Sequence, residues 1–497
     1  MTVQPPPDSG NVPAKLWNRT LASVYSMAEK WLVMKFGGTS VAGRAQWETI
    51  ASLADNRRRE GFRVLLVCSA IAGATNQLSA LAKNPESELD LAALMDAHRS
   101  LSHALDVRPS SWLPEAEFLL KQYLDLIAGS PVPKAQASLL AMGEWLSTKI
   151  GVQFLQQHFN ASWVDAREAL MAEEEVNVSA ARRWLSASCN AEQDLTLQKQ
   201  WAGLAPVLIT QGFIARTAEG ETVLLGRGGS DTSAALLAGR LNAERLEIWT
   251  DVPGLFSADP RLLPRARLLS EVDYAEAQEM AASGARVVHP RCIRAAAATH
   301  IPVIIGDVNR PAVTGTRIGD RIVERSGVKT ITCQEDMVVA LLQNLDTRHH
   351  VGFLAQVFDI FKMHGISVDL VATSETTTTV AFSRRINHIG SVELDQLSAD
   401  LRACCSVDLF PDCVCVNLVG RGVRKALAQL GPAFRFFEQR PLLMLSQSAN
   451  DLCLSILVNK GDHEILLREA HDALIPVDES GPKNVFGSSW EKIMESA

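Results

Sequence analysis

Lys35-Phe-Gly-Gly-Thr-Ser-Val41 follows the apolar run Trp31 to Met34, and Leu225-Gly-Arg-Gly-Gly-Ser-Asp231 precedes the small, apolar stretch Thr232 to Leu241. Each reads as a turn between a strand and a helix. Glycine has no Cβ, so main-chain N–H groups in such turns approach a phosphate closely, and the helix start that follows adds partial positive charge. The lysine adds a mobile point charge. Either segment alone would pass as an ordinary tight turn. Together they read as a site for phosphate and an anionic substrate. Neither fits the GxxxxGK[ST] pattern nor the strand-GxGxxG-helix fingerprint of dinucleotide binders, so the phosphate chemistry belongs to another fold.

Outward from these turns, short apolar runs at Trp31 to Met34, Arg63 to Cys68, Ala205 to Thr210, Thr222 to Leu225, Glu247 to Thr250 and Pro302 to Ile305 alternate with segments of helical periodicity. That alternation predicts an α/β fold, a mainly parallel sheet sandwiched by helices. Asp90 to Leu126 carries no strand signal and reads as a helical insertion beside the substrate pocket. A polar, glycine-containing junction near Asn309 to Gly327 ends this region. Beyond it the pattern repeats. Met337 to Leu342, helix Phe353 to His364, Ser367 to Thr373 and Thr377 to Ser383 give strand, helix, strand, strand. Cys413 to Leu418, helix Val423 to Leu430, Leu442 to Ser446 and Asp451 to Val458 give the same order, closed by helix His463 to Leu474. The divisions expected are 1–30, an extension; 31–320, the α/β domain; 328–400 and 401–475, two small α+β units; and 476–497, a tail.

A chain of 497 residues with 47% hydrophobic content fills several cores. The net charge of −8 gives no electrostatic reason to bind nucleic acid or an anionic membrane. Arg57-Arg-Arg59 is read as a solvated helix face. No apolar stretch approaches the roughly 20 residues that cross a bilayer, and the proline-rich start lacks the apolar core of a secretion signal, so a cytoplasmic location is expected. Nearly all of the nine cysteines, several of them inside apolar runs, are expected reduced and buried, and the spacing of Cys404-Cys405 and Cys413-Val-Cys415 does not make a zinc site.

Further segments follow in order: Cys68-Ser-Ala-Ile-Ala-Gly-Ala-Thr-Asn76, Gly143-Glu-Trp-Leu-Ser-Thr148, Ile209-Thr-Gln-Gly-Phe213, Trp249-Thr-Asp-Val-Pro-Gly254, Asp259-Pro-Arg261 and Gly284-Ala-Arg-Val-Val-His-Pro290. With the two glycine turns, and over about Trp31 to Ile475, the chain resembles the aspartokinases of the amino acid kinase superfamily. The resemblance implies an amino acid kinase fold followed by two ferredoxin-like ACT domains. It implies ATP-dependent phosphorylation of the L-aspartate side-chain carboxylate to 4-phospho-L-aspartate, with Mg²⁺, at the head of lysine, threonine, methionine and diaminopimelate biosynthesis. The carboxylate nucleophile is ionised at neutral pH, so such a reaction needs alignment and charge neutralisation rather than a general base.

The same resemblance assigns residues. Lys35 would contact the transferring phosphate, with Gly37, Gly38, Thr39 and Ser40 lining it, and Asp231 would organise Lys35, although an Asp there is also a good helix N-cap. Arg227 would hold a substrate carboxylate and Glu144 the substrate ammonium, with Ser69, Thr75 and Ser230 completing the pocket. Thr250, Asp251, Phe256, Arg261 and Arg286 match nucleotide-binding positions. Phe256 stands where many relatives have tyrosine and Arg286 where they usually have lysine, so the nucleotide contacts depart from the common pattern. His289 is given no role.

Gly352-Phe-Leu-Ala355 and Ser367-Val-Asp-Leu-Val-Ala-Thr-Ser-Glu375 resemble the effector site of lysine-inhibited aspartokinases. Asp369 would take an effector ammonium, with Phe353, Leu354, Ser367, Val368, Thr373, Ser374 and Glu375 around it. Such a site needs a second copy, so a homodimer or tetramer through these domains is implied. Two alternatives stay open: a weakly catalytic amino acid sensor that keeps the ACT pair, and a kinase of another amino acid such as glutamate. The tail reads as a linker stub or a docking element.

Overall fold

Strand β1 (Lys30–Phe36) is central because its two faces are equally apolar. The computed structural model describes residues 30–130, 132–175, 178–285, 287–320, 327–343, 351–475 and 485–495. Side chains alternate across a strand with a period of two. Trp31 and Val33, with Leu65 and Val67, enter one core, and Leu32, Met34 and Phe36, with Val64, Leu66 and Cys68, enter another on the opposite face. A strand buried on both sides is what a parallel sheet between two helical layers requires.

The sheet has eight strands: β1, β2 (Phe62–Cys68), β3 (Ala161–Trp163), β4 (Val207–Gln211), β5 (Arg245–Thr250), β6 (Glu271–Asp273), β7 (Val303–Asp307) and β8 (Thr316–Gly319). Their order is β3-β4-β2-β1-β5-β7-β8-β6, with only β7–β8 antiparallel. The chain lays strands to one side of β1, then returns to lay β5 and β7 on the other. Thus β1 and β5 flank the reversal point, where open α/β sheets place ligands beyond the carboxyl ends of their strands.

The helices that matter below are α1 (Arg44–Arg59), α2 (Glu88–Ala104), α3 (Leu113–Gly129), α4 (Met142–Gln156), α5 (Gly229–Arg240), α6 (Tyr274–Ala282) and α7 (Pro290–Ala298). Helices α2 and α3 form the expected insertion. In α5, Ala234, Ala235, Ala238 and Gly239 are all buried, and these small residues let the helix pack closely on β1. Two expectations change here. Thr222–Leu224 is not in the main sheet but pairs antiparallel with Ile214–Arg216, because the turn at Gly220 (φ +88°) folds it straight back. Arg57 is not merely solvated: its Nε lies 2.9 Å from Glu247, a carboxylate with 2% of its side chain exposed.

The second region is one six-stranded antiparallel sheet built from β9 (Thr330–Gln343), β10 (Leu370–Thr373), β11 (Thr377–Ser383), β12 (Ser406–Val419), β13 (Met444–Gln447) and β14 (Cys453–Asn459), in the order β10-β11-β9-β12-β14-β13. Helices α8 (Phe353–Met363), α9 (Ser391–Arg402) and α10 (His463–Leu474) cover it. Both long strands are shared. Their pairing shifts register between Gln334 and Met337 and again before Val339, so the later half of β9 joins the first unit while Thr330–Gln334 pairs with Cys415–Val419 of the second. The second α+β unit therefore takes one strand from ahead of the first, and a single cut near residue 400 does not separate them. Helix α9, absent from the sequence reading, completes the first unit and buries Leu394, Leu397 and Leu401.

A buried charge cluster fastens this region to the α/β domain. Lys329 Nζ pairs with Glu276 of α6, both almost without exposure, while Arg421 donates its backbone N–H to Glu276 Oε1 (3.0 Å) and its Nε to Asp273 (2.5 Å). Burial holds the Glu276 pKa above its ordinary value, with Lys329 opposing the rise. Replacing one member of a buried pair strands the other's charge. Lys329→Met is therefore expected to lower unfolding stability by about 3 kcal/mol, read by denaturant titration.

Candidate active site

Four loops leave the carboxyl ends of adjacent strands and pack on one another. After β1, Gly38 passes so close to the loop after β2 that a Cβ on it would lie 2.8 Å from the Ala70 carbonyl oxygen. Ala72 donates its N–H to Gly38 O (3.2 Å), and Ser40, fully buried, reaches Trp249 O at the end of β5 (3.5 Å). After β4, a Cβ on Gly212 would strike Ser230, and Phe213 N–H donates to Ser233 Oγ on α5 (3.1 Å). Gly228 (φ +64°) turns left-handed into α5 with His289 directly against it.

Lys35 and Asp231 meet in this cluster, Nζ to Oδ1 at 2.6 Å, both mostly buried. Asp231 stands in the first turn of α5 but makes no cap bond there, the N-cap being Gly228, so its carboxylate serves Lys35 and not the helix start. The His289 backbone N–H donates to its other oxygen at 3.4 Å. This contact was missed because a backbone donor leaves no mark in residue type. Arg291, also missed, donates to the Leu225 and Ala187 carbonyls and so braces the strand entering the second glycine turn. Cys68, at the end of β2, has its thiol pushed up to about 12 by burial, partly offset by Lys35.

Glu144, in the first turn of α4, is buried in the same cluster. Gly143 lets the helix touch Ala70, where a Cβ would come within 2.8 Å of the alanine methyl, and Ser147 Oγ donates to Ser69 O (2.7 Å). Burial pushes the Glu144 pKa up to about 8 against the pull of backbone N–H groups of Ala70 and Glu144, and among the described residues Oε2 has no hydrogen-bond partner. Ser69 is half-buried beside it, and Thr75 is exposed. Arg227, at the tip of the second glycine turn, is exposed and has no ion-pair partner among the described residues; Gly37, Thr39 and Ser230 line the same turns.

At the end of β5, Thr250 Oγ1 donates to Asp251 Oδ1 (3.1 Å), and Arg261 forms a bidentate pair with Asp259, its Nη2 2.6 Å from Oδ2. Phe256 is not with them. Its ring is buried and meets Trp490 edge-on at 5.6 Å, so the side chain that was expected to face nucleotide faces the core. Hydrophobic burial explains the turn inward, since phenylalanine has no hydroxyl to keep at the surface. Arg286 lies outside the described residues.

The residues that the resemblance gives to an effector gather at the edge strand β10 and the start of α8. Ser383 N–H donates to Asp369 Oδ2 (2.9 Å), and Asn387 fixes both main-chain groups of Ser367. Thr373, Ser374 and Glu375 form the exposed β10–β11 turn, where Ser374 bonds Thr377, and Leu354 is 40% exposed. Phe353 and Val368 are the exceptions, packed on the first unit's core.

Residues 30–307 match the amino acid kinase family. The chain is 33% identical over 459 residues to "Lysine-sensitive aspartokinase 3" of Escherichia coli, covering 89% of this chain and 99% of that one. It is 28% identical to "Aspartokinase" of Candida albicans, covering 90% of each. Among solved structures it superposes with TM-score 0.74 on E. coli aspartokinase III in complex with aspartate and ADP (R-state), at 32% identity over 90% of this chain and all of that one. The TM-score is also 0.74 for the lysine and aspartate complex (T-state), at 31% identity over 90% of this chain and 99% of that one. A family match over more than half the chain, joined to identity above 30% across nearly the whole of a relative, leaves one conclusion: this chain belongs to the amino acid kinase family, as an aspartokinase.

Proposed function

We propose that the chain transfers the γ-phosphoryl group of ATP to the side-chain carboxylate of L-aspartate, forming 4-phospho-L-aspartate and ADP. The observation that carries this reading is Glu144, a buried carboxyl group whose Oε2 has no hydrogen-bond partner among the described residues, in the loop cluster that holds the Lys35–Asp231 pair. A buried, unpartnered carboxylate is costly unless a cation arrives to meet it. A substrate ammonium is such a cation, and exposed Arg227 supplies the planar fork for a substrate carboxylate. The other carboxylate is already ionised and attacks phosphorus directly.

Lys35 neutralises charge on the transferring group, and Asp231 fixes the lysine's position, braced by the His289 N–H. The glycine turns bring main-chain N–H groups to the same oxygens. Thr250, Asp251 and Arg261 face the nucleotide from the end of β5. Asp251, at the end of β5, would offer Mg²⁺ the hard oxygen donor it takes, and the ion would supply charge neutralisation at the phosphates. Among the described residues no helix is long and apolar enough to cross a membrane. The nine cysteines are free, in keeping with the cytoplasmic location we assign.

Lysine is the effector we assign to the β10 edge. That site is open on one side in a single chain, so a second copy closes it, which makes the working species a homodimer or a tetramer. Asp369→Asn keeps the acceptor for Ser383 but removes the charge that faces a lysine ammonium. It is expected to raise the lysine concentration for half-inhibition about tenfold or more, measured in a lysine titration of the rate.

The test of the function is ATP- and Mg²⁺-dependent formation of aspartyl hydroxamate in the presence of hydroxylamine, with glutamate as the competing substrate. Hydroxamate from aspartate and little from glutamate is expected. None from either, with lysine still bound, would make the chain an amino acid sensor.

A further inference from the structure

We infer that the C-terminal segment Val485–Glu495, through Trp490, positions the nucleotide-binding end of β5. This inference rests on the kinase reading above, which gives Thr250, Asp251 and Arg261 to the nucleotide.

The segment is docked on the kinase domain, some distance in sequence beyond the last ACT helix. Phe486–Ser489 pairs antiparallel with Arg267–Leu269, and Arg267 donates Nε to Gly487 O and Nη2 to Phe486 O, both at 3.0 Å. Ser270 and Trp490 add backbone bonds to Val485 O and Ala266 O, each 2.9 Å. Val485, Phe486 and Ile493 are buried in the main kinase core. A linker stub would not bury three apolar side chains and pair its backbone.

Trp490 then stands between the two loops that flank Thr250. On one side its ring meets Phe256, five residues after Asp251, edge-on at 5.6 Å. On the other it faces the Arg310 guanidinium at 5.9 Å, and Arg310 is tied to Asp307 at the end of β7 (3.0 Å). Asp307 is the register partner of Thr250, and Val308 N–H donates to Thr250 O (2.8 Å). Edge-on aromatic pairs and cation–π contacts are directional as well as apolar. One side chain from the tail thus sets the spacing between the loop after β5 and the loop after β7.

The loop is held from the regulatory side too. Thr330 Oγ1 donates to Phe256 O (2.7 Å), Ile331 N–H to Ser257 O (2.8 Å), and His471 of α10 hydrogen-bonds Ser257 Oγ at 2.9 Å. Among the described residues no hydrogen bond or ring contact joins Trp490 to Glu144, Arg227 or Lys35. Its influence is therefore directed at ATP rather than at aspartate, and we call it a positioning residue.

The experiment compares wild type with Trp490→Ala, Trp490→Leu and Trp490→Phe in the full chain, measuring hydroxamate kinetics and, separately, ADP affinity by calorimetry. For Ala and Leu, KM for ATP and Kd for ADP should rise together by about three- to tenfold, with KM for aspartate within about twofold of wild type and Phe close to wild type. Trp490→Leu keeps apolar volume, so it carries the test if Trp490→Ala does not fold. A folded Leu variant with unchanged KM for ATP and Kd for ADP overturns the inference, as does an equal rise in both substrates' KM. Wild type that neither binds ADP nor forms hydroxamate overturns the kinase reading instead.

Discussion

Replacing Lys35 with alanine is expected to reduce turnover about a thousandfold with little change in KM for aspartate, measured by hydroxamate formation under saturating ATP. Lys35 sits at the end of the central strand, 2.6 Å from Asp231 and mostly buried, so its ammonium is fixed before substrate arrives. Preorganised charge costs nothing to align during reaction, which is why one such group carries a large share of the acceleration. Among the described residues the substitution also leaves Asp231 with only the His289 N–H at 3.4 Å, and a stranded carboxylate lowers stability. Lys35→Met combined with Asp231→Asn separates the two effects. The pair variant should regain thermal stability and remain inactive. Recovered activity in it would show that the lysine charge is dispensable.

Glu144→Gln should raise KM for aspartate about a hundredfold, with a smaller change in kcat. The side chain is almost isosteric, so packing in the α4 turn survives and the difference reads the charge. In wild type, burial lifts the Glu144 pKa from 4.5 to about 8, so the free protein carries this group largely protonated at pH 7. Binding an ammonium favours the ionised form, and aspartate binding at pH 7 should then release a proton. Calorimetry in buffers of different ionisation enthalpy detects it. Aspartate affinity should climb with pH to about 8 and level off, and the Gln variant should lose that climb. Stability moves the other way. The folded state holds the proton over a range where the unfolded chain has lost it, so Glu144's contribution is complete below about 4.5 and is lost as pH rises through about 8.

The fold was legible because its signals are local. The alternation of Trp31 and Val33 against Leu32 and Met34 states that both faces of β1 are buried, and the glycines after it state that the backbone must pass close to something. Lys35, Asp231, Glu144 and Arg227 were marked by motif, and all four lie in one cluster of packed turns and helix starts. Phe256 shows where that reading ends. In sequence it continues a nucleotide-binding segment; in three dimensions it is covered by Trp490 from 234 positions further along. Periodicity and spacing describe neighbours along the chain, and they carry no information about a distant segment that returns.

The same limit explains β9. Its sequence marks a strand, yet only its register with β12 reveals that one half serves each ACT unit. By itself, then, the sequence determined the strands, the glycine turns and the charged residues at their ends, because hydrophobic period and backbone freedom are properties of adjacent residues. Tertiary structure alone decided which strands are shared, that Glu144 loses its solvent and so holds a proton, and that the tail closes over the loop after β5. Each of those depends on burial and pairing between residues far apart in the chain, and burial exists only once the chain has folded.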